Sequence, residues 1–340
     1  MNVHQRSLRA AVDAVRILSP TVHSWLGVRA QGLPTRLAAN LDAETARGYL
    51  VHRLGLDLYA GFYCPGRPIP LPQLPDDTGL GSPELVEALV AANDGRGCWE
   101  PDWKVHGANA GELWVARGEL RFRARSDQVR ADEGRFLVPG VTVRVLHPKE
   151  LLRRSPGFYM AFADAALPED EPVVRLYWNF GAEGAVAFVA AAIRALNRHE
   201  VPARLKVVNH PAAYRYRCDA GVLYLPRRAF SGLQPLVAGL YKTLRRHLGR
   251  ATPALTKPLA PGLGVAEDAG TDESFGLHRC ALIADGLVRA HEVGAGTPAA
   301  RADEVEACLV AHGVDPAAPY LAPGSADIYT RLEAAVHSDG

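Results

Sequence analysis

The sequence predicts an α+β fold: a mixed sheet with a strand-helix-strand crossover, an antiparallel meander and an N-terminal helical region. Three observations carry that prediction. Two apolar strand-like runs, PVVRLYWN (172–179) and ARLKVVN (203–209), flank a helical stretch, AEGAVAFVAAAIRALNRH (182–199). A strand, a helix and a strand in such short order predict a right-handed crossover with parallel pairing. From about Trp103 to His147 the hydrophobic period is two, as half-buried antiparallel strands require. Before that, apolar residues recur at three- and four-residue spacing, as on a helix with one buried stripe.

Residues 1–63 read as helical, most clearly in AETARGYLVHRLGLDLYAGFY (43–63). CPGRPIPLPQLPDD (64–77) carries five prolines and must be an extended loop. Ser82-Pro83 reads as cap and first residue of a helix that Asn93-Asp94-Gly95 ends. In ELWVARGELRFRARS (112–126), Leu120, Phe122 and Ala124 alternate with Arg121, Arg123 and Arg125 after a turn at Arg117-Gly118; VTVRVLHP alternates again from Val141. AGVLYLP (220–226) is a third apolar strand. Helices follow at about 235–248, 274–290 and 301–312. The Pro- and Gly-rich stretch 249–270 reads as a loop long enough to be functional. This divides the chain into an N-terminal helical region with its Pro-rich loop (1–100) and an α+β domain (101–340).

Composition excludes several classes. With 340 residues, 48% hydrophobic and 22% charged, the chain is neither disordered nor fibrous. Five cysteines (64, 98, 218, 280, 308) form no CxxC pair and have no histidine at ligand spacing, which argues against zinc and against a disulfide framework. No cofactor is expected. The first seventeen residues are broken by Arg6, Arg9, Asp13 and Arg16, so they lack a signal-peptide core. The longest apolar helix, 184–193, is too short to span a bilayer. The expectation is a soluble, cytoplasmic protein without membrane partners. Net charge is uninformative at +1, but its distribution is not. Between Val201 and Lys257 stand eleven Arg and Lys against one acid, Asp219; from Gly264 onward four Arg face thirteen Asp and Glu. The first region expects an anionic ligand.

If 173–179 and 203–209 are parallel neighbours, Asn179 and Asn209 share the carboxyl edge where ligands of open sheets collect. Lys206 lies just inside it, on one face with Arg204. A mid-strand lysine between Leu and Val is partly desolvated, the setting in which an amine serves as a base; alternatively it snorkels from an edge strand. In YRYRCD (214–219), Arg215 and Arg217 offer guanidinium forks for a phosphoryl dianion, unless Arg217 pairs with Asp219 or with the acidic tail. ESFGLHRC (273–280) opens a helix capped by Ser274, with His278 and Arg279 in its first turns. Tyr159 and Tyr63 lie in aromatic segments beside Pro-Gly, where their hydroxyls can enter a pocket.

Together LYWNFGAEGAVAFVAAAIRALNRHEVPARLKVVNHPAAYRYRCDAGVLYLP, LYAGFYCPGRP, AANDGRGCWEPDW, HPKELLRRSPGFYMAFADA, LAPGLGVAED and ESFGLHRC resemble the HopA-type effector family over about residues 45–295. Members in lanthipeptide and thioamitide clusters work beside a phosphotransferase-like kinase that phosphorylates Ser or Thr of a precursor peptide. The resemblance thus implies a lyase-like domain over 101–340. Its reaction is a phosphoserine/phosphothreonine lyase's, eliminating phosphate to leave dehydroalanine or dehydrobutyrine. It implies the precursor peptide and the kinase as partners. By analogy with phosphothreonine lyases, Lys206 is the expected base and His278, or His210, the acid. Arg204, Arg215, Arg217, Lys257 and Arg279 are the expected phosphate ligands, with Asn179 and Tyr159 orienting the peptide. The rival is a non-catalytic scaffold or an effector that acts by binding protein. Nothing resembles a nucleic-acid motif.

Overall fold

The computed structural model describes residues 1–109, 111–131, 135–168, 171–268 and 273–332. Helix α1 (Val3–Asp13) starts at Asn2, whose side chain accepts the Gln5 N–H at 3.0 Å. It is followed by strands, not more helix: β1 (Val15–Ser19), β2 (Val22–Trp25) and β3 (Val28–Arg29) form a small antiparallel sheet. The helical expectation for all of 1–63 fails here because Val15, Ile17, Val22 and Val28 are β-branched and favour strand. After the short α2 (Thr35–Ala38), α3 (Ala43–Leu58) is capped by Asp42, which accepts the Thr45 N–H at 2.7 Å. It runs into a π-helical turn, Tyr59–Tyr63, a device frequent at functional sites. The Pro-rich segment leads to α4 (Pro83–Ala92), with proline at its first position.

The predicted meander is a five-stranded sheet of β4 (Cys98–Asn109), β5 (Glu112–Arg117), β6 (Leu120–Arg125), β7 (Val129–Ala131) and β8 (Thr142–His147), in the order β6-β5-β4-β8-β7. It buries a core of its own around Trp103, Val105, Val115, Val143 and Val145.

The large sheet takes β9 (Glu150–Ser155), β10 (Phe158–Phe162) and β11 (Val173–Trp178), then, after α5 (Ala182–Arg198), β12 (Arg204–Val208) and β13 (Gly221–Pro226). Past α6 (Phe230–Leu244) come β14 (Lys257–Ala260) and β15 (Leu263–Glu267), and then α7 (Phe275–Glu292) and α8 (Pro298–Ala311). Its order is β14-β15-β11-β13-β12-β10-β9, with every neighbouring pair antiparallel. The crossover exists, and β11 and β12 run the same way. They are not neighbours, however: β13, buried along its whole length, pairs with both. The expected parallel pairing is therefore replaced by two antiparallel ladders. The stretch read as a loop from 249 to 270 contains the β14–β15 hairpin, closed by Pro261 and Gly262 (φ +76°). The β9–β10 hairpin closes in the same way, at Pro156 and Gly157 (φ +80°), because such a turn needs Pro's φ first and a positive φ second.

One core extends from Leu8 in α1 to Tyr329 near the C-terminus and includes both faces of the large sheet. Helix α5 covers one face, with Phe188 against Trp178 at 5.4 Å. On the other, α7 and the π turn cover β11, placing Tyr63 and Phe275 within 6.4 and 6.3 Å of the Tyr177 ring. Gly276 permits this approach, since a Cβ there would lie 2.3 Å from the Tyr63 ring. Beyond α8 the chain returns over the sheet edge. Buried Glu267 anchors it by accepting the Ala322 N–H at 2.9 Å and the Tyr329 hydroxyl at 2.7 Å. Among the described residues no helix is long and apolar enough to cross a membrane.

Candidate active site

Register decides which side chains share the face opposite α5. One row across β11, β13, β12 and β10 is Arg175, Tyr224, Arg204 and Phe162; the next is Tyr177, Val222, Lys206 and Met160. Side chains in register stand on the same face. The β11 end of this face is sealed by aromatics, whereas its β12–β10 end is only half-buried. Phe158, at the start of β10 and in register with Val208, completes that end.

Lys206 and Arg217 meet on the Phe158 ring, the amine 4.4 Å and the guanidinium carbon 5.2 Å from its centre. The segment carrying Arg217 is held by the π turn: Cys218 N–H donates to Cys64 O at 2.6 Å and its thiol to Pro65 O at 3.3 Å. Arg217 then forks onto Asp219, Nε to Oδ1 at 2.9 Å and Nη2 to Oδ2 at 2.8 Å, and Nη2 also donates to the Tyr59 hydroxyl at 2.9 Å. Burial works against the guanidinium charge, and Asp219 more than offsets it, so Arg217 stays a cation. Burial likewise keeps the Tyr59 hydroxyl protonated. Burial raises the pKa of the neighbouring Tyr216 hydroxyl, and its hydrogen bond with the Arg217 guanidinium partly counters that rise. The anticipated Arg217–Asp219 pair is thus present, with two phenols beside it. Arg204 stacks on Tyr224, 4.9 Å from the ring centre. Neither Arg204 nor Lys206 has a carboxylate partner among the described residues.

Arg215 lies exposed on the 3-10 turn Pro211–Arg215, which the Tyr214 hydroxyl ties back to Val208 O. The other predicted site residues do not join this cluster, each for a visible reason. His210 accepts the Ala212 N–H at Nδ1 and directs Nε2 toward Asp77 at 3.6 Å; four residues along an extended chain separate it from Lys206 by about 13 Å. His278 bonds Arg279 at 2.7 Å, and burial together with that guanidinium lowers its pKa. Arg279 is fully buried and donates to Pro319 O at 2.9 Å and Leu321 O at 3.0 Å. It clamps the C-terminal segment from a fully buried position, and burial pulls its pKa down to about 10. Lys257 sits on β14, at the opposite side of the sheet, paired with Asp327 at 2.5 Å. Asn179 staples a loop, donating to Ala251 O at 2.8 Å while its own carbonyl accepts Gly249 N–H. Tyr159 points to the α5 face, where it is buried, donating to Glu150 and accepting from Asn93. Tyr63 is buried too, stacked on Tyr59 at 5.3 Å.

Because Arg279 satisfies two carbonyls, Arg279→Met should destabilise the chain by about 2–4 kcal/mol, read as a lowered urea midpoint. An unchanged midpoint would make the clamp idle.

Two residues of the cluster escape sequence reasoning. Phe158 reads as core, yet its half-exposed ring is where the two cations meet. Tyr59 lies in the quoted aromatic block, but its role needs the π turn, which no periodicity announces.

A model of the HopA1 effector protein family matches residues 149–321, just over half of the 340 residues. The chain belongs to the HopA1 effector protein family. Lys206, Arg204, Arg217 and Phe158 fall inside the matched span; Tyr59 and the five-stranded sheet precede it, as do the blocks LYAGFYCPGRP and AANDGRGCWEPDW. Two solved effector structures are similar to this HopA1-family chain. One, from Pseudomonas syringae pv. tomato strain DC3000, is 19% identical over 79% of this chain and 90% of its own, with a TM-score of 0.46. Another, from Pseudomonas syringae pv. syringae strain 61, is 18% identical over 80% and 95%, with a TM-score of 0.45. No curated protein matches.

Proposed function

We propose that this HopA1-family protein is a phosphoserine/phosphothreonine lyase. It would act on a precursor peptide phosphorylated by a phosphotransferase-like kinase, leaving dehydroalanine or dehydrobutyrine in lanthipeptide or thioamitide biosynthesis. One observation carries the reading: an amine without a carboxylate partner among the described residues shares the Phe158 ring with a guanidinium. Arg204 and Arg217 receive the phosphoryl oxygens, and the Lys206 amine faces the α-carbon. Lys206 takes the α-proton, the C–H pair becomes the Cα=Cβ bond, and the Cβ–O pair leaves on phosphate. The two guanidiniums neutralise the departing charge, so no histidine has to protonate it. The proton on Lys206 then exchanges with water.

The test is to incubate the purified chain with a synthetic phosphothreonine peptide and follow inorganic phosphate together with the mass loss of phosphoric acid. Release of both is expected. If neither appears at stoichiometric protein, the reading falls. A second reading, a scaffold or effector that binds protein without chemistry, draws on one observation: both expected histidine acids lie outside the cluster. It predicts tight peptide binding and no phosphate.

A further inference from the structure

A cleft of about 510 Å³ lies between the β6 side of the small sheet and the β9–β10–β12 end of the large one. It adjoins the candidate active site directly: Met160 and Arg204 line it, and Met160 is the register partner of Lys206. Strand β6 is an edge strand, paired among the described residues only with β5. The two-residue turn Gly118 (φ +56°) and Glu119 makes Arg117 and Leu120 the hydrogen-bonded pair. Bonding then alternates, so Arg121 and Arg123 turn their backbone N–H and C=O groups outward, unpaired. Phe122 (40% exposed) and Leu120 (54% exposed) stand beside them. Unpaired backbone groups on an edge are a template for an added strand.

Charge says what the edge receives. Arg121 and Arg154 line the cleft, are exposed, and have no carboxylate partner among the described residues. The lining acid, Glu100, is already paired with Arg117 at 3.3 Å. We propose that this cleft binds an extended, acidic segment of the peptide substrate as an added strand on β6, delivering its phosphorylated side chain to Lys206. The surface rests on the lyase reading only for the identity of the peptide as substrate. Main-chain bonds to β6 supply affinity whatever the sequence, and Arg121 and Arg154 select for acid.

The probe is a fluorescein-labelled, unphosphorylated decapeptide alternating Glu with Val and Leu, titrated with the full chain and read by anisotropy. Binding should weaken about ten-fold or more with Arg121→Glu, and similarly with Arg154→Glu and with Arg123→Pro, which removes one outward N–H. Proline is tolerated on edges, and circular dichroism confirms folding; the two charge reversals leave the backbone intact. The same peptide N-methylated at alternate residues should also bind at least about ten-fold more weakly, because it cannot donate to the edge. Absence of wild-type binding overturns the proposal, as does equal binding by the variants or by the N-methylated peptide. A chain that binds the probe but releases no phosphate sinks the lyase reading and keeps the docking surface; the converse sinks the surface alone.

Discussion

Lys206→Ala is expected to lower phosphate release from a phosphothreonine peptide by about 10³-fold or more, with peptide affinity within a few-fold of wild type. A base acts in the transition state, so its loss falls on kcat, and general-base catalysis supplies about 10²–10⁴-fold. In the proposed reaction Arg204 and Arg217 would keep the phosphate in place, so affinity should survive. The strand itself should tolerate the change: the Lys206 amine makes no hydrogen bond or ion pair among the described residues, and its stem is half-buried beside Phe158. Lys206→Arg, which keeps the charge but not a usable base, should be as inactive as the alanine variant. Wild-type turnover in either would place the base elsewhere. An equal fall in kcat and affinity would make Lys206 a phosphate ligand.

Asp219→Ala is expected to cost about 3–5 kcal/mol of stability. The carboxylate is 4% exposed and takes both forks of a guanidinium that is itself packed between Tyr59 and Phe158. Removing one partner leaves a desolvated charge unpaired, and this dominates the cost. The double variant Arg217→Met with Asp219→Leu removes both charges and should recover to within about 1 kcal/mol of wild type, while losing preference for phosphorylated over unphosphorylated peptide. Urea unfolding and two peptide titrations measure both. A single Asp219→Ala variant with wild-type stability would show that water already reaches the pair.

Local sequence marks the strands and caps but not which strands become neighbours. Residues 173–178, 204–208 and 221–226 are apolar runs whose own composition marks them as strands, and Ser274 announces α7 through its cap. The order of those strands has no local signature, so the insertion of β13 between β11 and β12 was not legible. The same holds for the site. Lys206 and Arg217 stand out by type, but their meeting on Phe158 requires β10 to lie next to β12, and only the sheet supplies that. The histidines show the reverse case. His278 and His210 carry useful chemistry in the abstract, yet one is tied to Arg279 and the other to the Ala212 N–H. One signal was present and undervalued: Pro261-Gly262 repeats the Pro156-Gly157 turn that closes β9 and β10.

The placement of β13 has a further consequence for biogenesis. A ribosome that has released residues up to Val208 has made both walls of a slot whose filling, Gly221–Pro226, comes later. Until then the nascent chain carries two open ladders of β-branched and aromatic residues, the state most exposed to wrong partners. Pauses in translation, or truncations, that fall between those two points should therefore aggregate more than ones placed after Glu267, where the last strand of the sheet is complete.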